Sequence, residues 1–357
     1  MTAQPDGDCR LSVRELRVHF PTADGVVKSV DGVSLDLRRG EIVGVVGESG
    51  SGKSVLAQSI LGLHNGSRAL LSGRIRLAGH ELVGASEREL AQLRGSAAAM
   101  IFQDSQSGLH PYHRIGDQVA EAYLAHHRVS RTAARRRAVE MLDRVGIPVP
   151  DKRYRDYPHQ LSGGMRQRVM IAMALVCEPD VLIADEPTTA LDVTVQAQIL
   201  ELIAGLRAEF GMAVLLITHD LGVVAQLCDR VIVMYAGQFV ETATADELFY
   251  QPEMPYTWGL LNATPRPAVR PGADGPDGTR RLRPIEGQPP SLIRLPPGCA
   301  FEPRCGYRDL VAGQRCRTER PRLVPVVDDG STGHEARCHI EPARRRRLWA
   351  DTIQPAR

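Results

Sequence analysis

Apolar residues fall into two kinds of run along this chain, and their succession predicts a layered α/β fold. At residues 16–20, 33–37 and 74–77 apolar and polar positions alternate, the period of antiparallel strands with one face on a core. Residues 42–46 read Ile-Val-Gly-Val-Val and run into a glycine-rich loop, as a strand buried on both faces does. Further buried strands are predicted at 98–102, 181–184, 213–218 and 230–234. Between them lie helical patterns at 54–63, 132–145 and 165–175. Val195, Ile199, Leu202, Ile203 and Leu206 are spaced three and four apart, which puts a stripe on one helix face. The segment from about 104 to 176 lacks strand signals and reads as a helical insertion between two halves of the sheet.

Past residue 264 the pattern breaks. Pro265, Pro267, Pro271, Pro284, Pro289, Pro290, Pro296 and Pro297 punctuate a stretch rich in Gly and Arg, which suits a linker and irregular loops. No internal repeat is visible, so one cassette is expected rather than two.

Composition sharpens this only a little. An apolar content of 43% with 4% aromatic residues fits an α/β core, and a net charge of +2 argues against a dedicated nucleic-acid binder. Arg135–Arg137 and Arg344–Arg347 are short basic runs, read as solvated faces ahead of contacts to anionic lipid. No apolar stretch is long enough to span a bilayer, and residues 1–10 lack the apolar core of a signal peptide. The expectation is a cytosolic chain whose membrane role comes through partners.

Chemistry enters at residues 47–54. Gly47, Glu48, Ser49, Gly50, Ser51, Gly52, Lys53 and Ser54 fit G-x-x-x-x-G-K-[ST] between a strand and a helix, with Val55 next in the helix. Glycines let backbone N–H groups curl around phosphates, and the helix N-terminus adds partial positive charge. Lys53 is expected on the β- and γ-phosphates of ATP, and the Ser54 hydroxyl on Mg²⁺. Asp185 and Glu186 end an apolar strand, where carboxylates are costly without a task. Asp185 is expected to hold Mg²⁺ and Glu186 to act as general base on water. Ser162, Gly163 and Gly164 open the helix at 165–175 and so form a second anion-binding helix start. One domain with one nucleotide does not need two, which predicts that this one faces the γ-phosphate held by a partner.

These motifs, in this order, resemble the nucleotide-binding subunits of ABC transporters over residues 11–262. The resemblance implies an α/β P-loop NTPase ABC cassette, a RecA-like core with an antiparallel β subdomain and a helical subdomain. It also implies two cassettes closing head to tail over two ATP molecules. Gln103 is then the glutamine that senses Mg²⁺ and couples to the membrane subunit, and Asp192, with Ala190 and Leu191, lies across the interface. His219 contacts the γ-phosphate, and Phe20 is the candidate to stack on adenine. Gln103, Glu186 and His219 are the expected catalytic set. After Gln103 the chain reads His110-Pro111, where the peptide-importer subfamily often has Asn before that proline.

Four of the seven cysteines fall late: Cys299, Cys305, Cys316 and Cys338. In a reducing compartment thiolate ligation is the better reading than disulfides, although the spacing departs from that of zinc fingers. Four Cys ligands also suit an iron–sulfur cluster. The surrounding sequence, residues 255–261, 285–292 and 297–305, is similar to the C-terminal extension of oligopeptide/dipeptide/nickel importer ATPases. That resemblance implies a loop-rich Cys-containing extension with a [4Fe-4S] cluster, zinc being the alternative.

The expected organisation is therefore an ATPase domain at 10–262 with its helical subdomain at about 104–176, an extension at 263–340 and a basic tail at 341–357. The expected function is ATP hydrolysis driving import of oligopeptides or dipeptides, peripheral to the cytoplasmic face of the membrane. Expected partners are a second, unlike ATPase subunit, two transmembrane permease subunits and an extracytoplasmic solute-binding protein, with no nucleic acid. A nickel or other small-solute importer is the alternative cargo class. A soluble ABC ATPase acting on ribosomes or DNA is the alternative function class, and the absence of a second cassette or a long coiled coil argues against it.

Overall fold

A computed structural model describes residues 8–64, 68–103, 108–189, 191–263, 284–327 and 333–353. The expected linker at 264–283 lies outside them, as does Ala190. The chain divides into two units: Met1–His19, Asp31–Gly44 and Ser54–Thr218 form one, and Phe20–Val30, Val45–Lys53 and His219–Arg357 the other.

The chain begins with long strands, β1 (Cys9–Thr22) and β2 (Gly25–Arg38), followed by β3 (Ile42–Val46) and helix α1 (Lys53–Ile60); of these, Phe20–Val30 and Val45–Lys53 fall in the second unit and the rest in the first. Next come β4 (Leu70–Leu77), the short β5 (His80–Glu81), α2 (Glu87–Leu93) and β6 (Ala98–Ile101). Strands β2, β1, β4 and β5 form an antiparallel sheet, with Leu11 opposite Leu77 and Val13 opposite Ile75. Leu11, Val13, Leu16 and Val18 are all buried, so the alternation seen in the sequence is a true inner face. A break between Arg14 and Arg17 lets Leu16 keep that face.

Helices α3 (Ile115–Leu124), α4 (Arg131–Arg144), α5 (Pro150–Arg153) and α6 (Gly163–Leu175) make the helical part, as expected of the insertion. Gly116 in α3 is needed there: a Cβ would lie 2.1 Å from the Tyr154 ring, whose hydroxyl donates to Asp117 at 2.9 Å. Strand β7 (Val181–Asp185), helix α7 (Val193–Phe210) and strand β8 (Ala213–Ile217) complete the unit. Its parallel sheet runs β8–β7–β6, with Ala98 beside Val181 and Val181 beside Ala213. Every residue of β7 and β8 is buried, which is why these strands read as apolar runs, broken in β7 only by Asp185 at its end.

Two boundaries differ from the sequence reading. The first helix stops at Ile60 rather than 63, because Gly62 takes φ 64° and Leu63 N–H donates to Gln58 O at 3.0 Å, a left-handed cap. Strand β6 stops at Ile101, leaving Phe102 exposed. Of the basic run at 135–137, Arg135 lies over the Tyr154 ring and Arg137 pairs with Glu178 at 2.5 Å.

The second unit contains α8 (Leu221–Leu227), β9 (Arg230–Tyr235), β10 (Gln238–Thr244), α9 (Ala245–Tyr250) and α10 (Pro255–Asn262). Ala236 and Gly237, at φ 48° and 80°, make the two-residue turn of the β9–β10 hairpin. After 284 come three short 3₁₀ turns, α11 (Arg315–Thr318), β11 (Val324–Pro325), β12 (Glu335–Ala336) and α12 (Pro342–Leu348). Strand β12 pairs with β10, and β11 with β12.

Buried charge ties these late segments down. The Glu241 carboxylate accepts the N–H groups of Glu253 and Met254, and His334 Nε2 lies 2.8 Å from it. Arg345 Nε lies 3.0 Å from the Glu253 carboxylate, both side chains being 2% exposed. Burial pushes the Glu253 carboxyl upward and Arg345 pulls it back, the balance found when ions leave water together. Within the basic run at 344–347, then, Arg345 is a buried anchor, not a solvated residue.

Candidate active site

In the second unit, the loop between β3 and α1 is held by close backbone approach. Gly47 has φ 154°, and a Cβ there would lie 2.1 Å from Met234 O. Gly52 has φ 108°, and a Cβ there would lie 2.1 Å from Ser29 O. Neither neighbour can give way, because both are backbone. Ser51 O accepts Gly237 N–H at 2.9 Å, so the hairpin turn also supports the loop. Lys53 is 6% exposed, and its ammonium donates to Gly47 O at 2.8 Å and Glu48 O at 2.9 Å. Ser49 and Gly50 form the exposed crest of the loop. This is the cradle that a chain of phosphates requires: small residues, a curled backbone and one fixed cation at a helix start.

Two other expected residues belong to this unit. His219 is exposed immediately before α8, whose N-terminus is capped by Asp220 through the N–H groups of Gly222 and Val223. Phe20 is half-buried near the end of β1.

The first unit carries the carboxylates. Asp185 is 3% exposed at the end of β7. Glu186 follows at φ 48°, a costly conformation for a residue with a Cβ, held by its N–H donating to Ile217 O at 2.9 Å. Its carboxylate Oε2 accepts from Gln103 Nε2 and from Thr189 Oγ1, each at 2.9 Å. Gln103 and Glu186, far apart in sequence, are thus brought together. Thr189 was not picked out by sequence reasoning, although Pro187-Thr188-Thr189 follows the carboxylates directly. Ser54, Gln103 and Asp185 line one cavity of about 720 Å³ within this unit, together with Leu61, Met100, Phe102, Met170 and Met173. A hydroxyl, an amide oxygen and a carboxylate are hard oxygen donors, and the set fits Mg²⁺.

Ser162 caps α6, its hydroxyl accepting Met165 N–H at 3.3 Å, and both Ser162 and Gly163 are exposed. Inside the same helix the buried Gln167 donates to Pro187 O at 2.6 Å, which couples the Ser-Gly-Gly helix to the segment after Glu186. Asp192 is exposed and caps α7, accepting Val195 N–H at 3.0 Å. Leu191 lies 3.8 Å from where a Gly163 Cβ would stand.

The cysteine expectation is corrected. Cys299, Cys305, Cys316 and Cys338 are all free thiols. Among the described residues, no group of three or more His, Cys, Asp or Glu side chains is arranged to hold a metal ion. Burial pushes the Cys299 and Cys305 thiols up to about 12 and raises Cys316 and Cys338 as well. Neither the iron–sulfur cluster nor the zinc alternative is supported. Two bonds link their loops locally: Cys299 N–H donates to Cys316 O at 2.8 Å, and Ile340 N–H to Cys338 Sγ at 3.5 Å.

A phosphate cradle after β3, a carboxylate pair ending β7 and a Ser-Gly-Gly helix start define a P-loop ATPase of the ATP-binding cassette class. Comparison with known proteins agrees and goes further. Residues 30–189 match the family described as ABC transporter, and residues 240–310 match the oligopeptide/dipeptide transporter C-terminal region. The dipeptide transport ATP-binding protein DppD of Bacillus subtilis (strain 168) is 49% identical over 335 residues, covering 94% of this chain and 95% of that protein. The oligopeptide transport ATP-binding protein OppD of Escherichia coli (strain K12) is 50% identical over 305 residues, 85% of this chain and 88% of that protein. A solved dimer of the ATP-binding cassette MJ0796, bound to ADP and Pi, matches with a TM-score of 0.59 at 26% identity. That match covers 66% of this chain and 98% of the cassette. The chain belongs to the ATP-binding proteins of oligopeptide and dipeptide ABC transporters.

Proposed function

We propose that this chain is the ATP-hydrolysing subunit that energises import of oligopeptides or dipeptides through an ABC transporter. The observation that carries the reaction is the Glu186 carboxylate, held by Gln103 and Thr189 at the end of a buried strand. The peptide assignment rests on the two relatives and on the match of residues 240–310.

In this reading the P-loop from Gly47 to Ser54, with Val55, holds the triphosphate, Lys53 meets the β- and γ-phosphates, and Phe20 stacks on adenine. Ser54, Gln103 and Asp185 would hold Mg²⁺, which neutralises charge building on the transferred phosphoryl group. Glu186 takes a proton from water as the water oxygen bonds to the γ-phosphorus and the bond to ADP breaks. Holding the carboxylate by two donors aims it, and His219 supplies a further contact to the γ-phosphate.

Ser162, Gly163 and Gly164 would meet the nucleotide of a second cassette, with Asp192 at the same interface. ATP binding then closes the pair and hydrolysis reopens it. A related but unlike chain is the second cassette, and two permease subunits and an extracytoplasmic solute-binding protein complete the transporter. The cavity walled by Leu61, Met100, Phe102, Met170 and Met173 offers an apolar seat for a permease helix beside Gln103. Among the described residues no helix is long and apolar enough to cross a membrane. The likeness to the ATP-binding proteins DppD and OppD supports a peripheral subunit, on the cytoplasmic face in this reading. The organisation that follows is an ATPase domain at 10–262 with a helical subdomain at about 104–176, a Cys-containing loop-rich extension at 263–340 and a basic tail at 341–357.

The test is reconstitution of the chain with its permease subunits and binding protein in proteoliposomes. ATP-dependent uptake of labelled peptides, and ATPase activity raised by peptide-loaded binding protein, are expected. ATPase activity raised by a Ni²⁺-loaded binding protein and not by peptides would overturn the cargo.

A further inference from the structure

The P-loop contains a carboxylate that the phosphate chemistry does not use. Glu48 occupies one of the variable positions of the motif, and a negative charge there opposes a triphosphate a few ångströms away. The C-terminal segment answers it. Arg304 donates to both Glu48 carboxylate oxygens, at 2.6 and 3.0 Å, from a side chain only 4% exposed. Such a two-pronged pair, with the Glu48 side chain 28% exposed, neutralises the carboxylate and fixes its direction.

The guanidinium is itself anchored. It donates to Glu286 O at 2.9 Å, to Ile285 O at 3.3 Å and to the Tyr235 hydroxyl at 3.4 Å. The rings of Tyr235, Tyr256 and Phe301 pack on one another beside it, with centroids 4.5 to 5.4 Å apart. The Tyr256 hydroxyl adds a second grip by accepting Glu48 N–H at 2.9 Å. The Glu48 carbonyl meanwhile accepts from Lys53 and from Ser51 N–H at 3.2 Å. Every polar group of Glu48 is therefore assigned: side chain to Arg304, N–H to Tyr256, carbonyl to the P-loop lysine and loop. Tyr256 and Arg304 both come from the region that matches the peptide-transporter C-terminal family, and all these residues lie in one unit.

We propose that Arg304 is a positioning residue for nucleotide binding: it cancels the Glu48 charge and, with Tyr256, holds the P-loop in its phosphate-receiving shape. The C-terminal segment thereby sets the affinity for ATP. This rests on the P-loop being the ATP site.

The test uses the full transporter, titrated with a fluorescent ATP analogue and assayed for ATPase activity. Arg304→Gln leaves Glu48 charged and unpaired, and is expected to weaken nucleotide binding and raise KM for ATP about ten-fold, with kcat moving far less. Glu48→Gln in the Arg304→Gln background removes the stranded charge and is expected to recover most of that loss. Arg304→Lys, which keeps the charge but not the fork, should fall between. A Tm loss in Arg304→Gln with unchanged KM would overturn the proposal, and so would a KM rise that the second substitution does not relieve. Failure of the wild-type chain to bind the analogue would instead overturn the ATPase reading itself.

Discussion

Two segments of this chain are built on the same device, a helix start rich in glycine, yet they are finished in opposite ways. The P-loop is closed from within its own unit. Backbone oxygens of Ser29 and Met234 fill the space where glycine side chains would be, Lys53 is buried, and Tyr256 and Arg304 hold Glu48 from behind. The Ser162–Gly164 segment is open at its start. Ser162 and Gly163 are exposed and a Gly163 Cβ would meet only the Leu191 side chain at 3.8 Å, whereas a Gly164 Cβ would lie 2.7 Å from the Val195 side chain. A site finished by its own chain binds by itself, whereas one left bare is completed by something else. The contrast supports a P-loop that holds nucleotide and a Ser-Gly-Gly segment that receives one.

Four substitutions probe that contrast. Glu186→Gln leaves both segments intact and removes the proposed proton acceptor. ATPase turnover is expected to fall by about 10²–10⁴-fold while nucleotide binding and ATP-dependent pairing of cassettes persist. Turnover within a few-fold of wild type would take Glu186 out of its role.

Gly52→Ala places a methyl group 2.1 Å from Ser29 O, at a φ of 108° that alanine rarely adopts. Analogue titration should show ATP affinity lowered by about a hundred-fold, since backbone strain of about 1–3 kcal/mol falls directly on the loop. Equal effects from Gly52→Ala and Gly163→Ala on binding to a single chain would erase the distinction between the closed and the open segment.

Ser162→Ala has the smallest effect on the fold. It removes a helix cap to Met165 N–H, costing about 1 kcal/mol, so a thermal melt should shift by a few degrees at most. Nucleotide binding to a single chain should be unchanged, and the loss should appear in cassette pairing measured by size-exclusion chromatography with ATP.

Much of the fold was legible because its signals are local. Strands β3 and β8 are apolar runs of five residues and β7 one of four ahead of Asp185, all buried, and α6 and α7 carry their caps, Ser162 and Asp192, in the sequence. Helix α2 was overlooked even though Ser86 and Glu89 spell a capping box ahead of it. The cysteines were misread for a different reason. Their number suggested ligation, but whether thiols converge as ligands depends on how the loops between them pack, and among the described residues no such group is placed to hold a metal ion.

The P-loop, the Asp185-Glu186 pair and the Ser-Gly-Gly helix start follow from sequence alone, because each is a short stretch whose residues act on their own backbone. Gln103 reaching Glu186, Gln167 reaching Pro187, and Arg304 reaching Glu48 across 256 positions follow only from the tertiary structure. Those bonds depend on the approach of distant backbones, which no local spacing encodes, and they aim the groups that the local motifs merely supply.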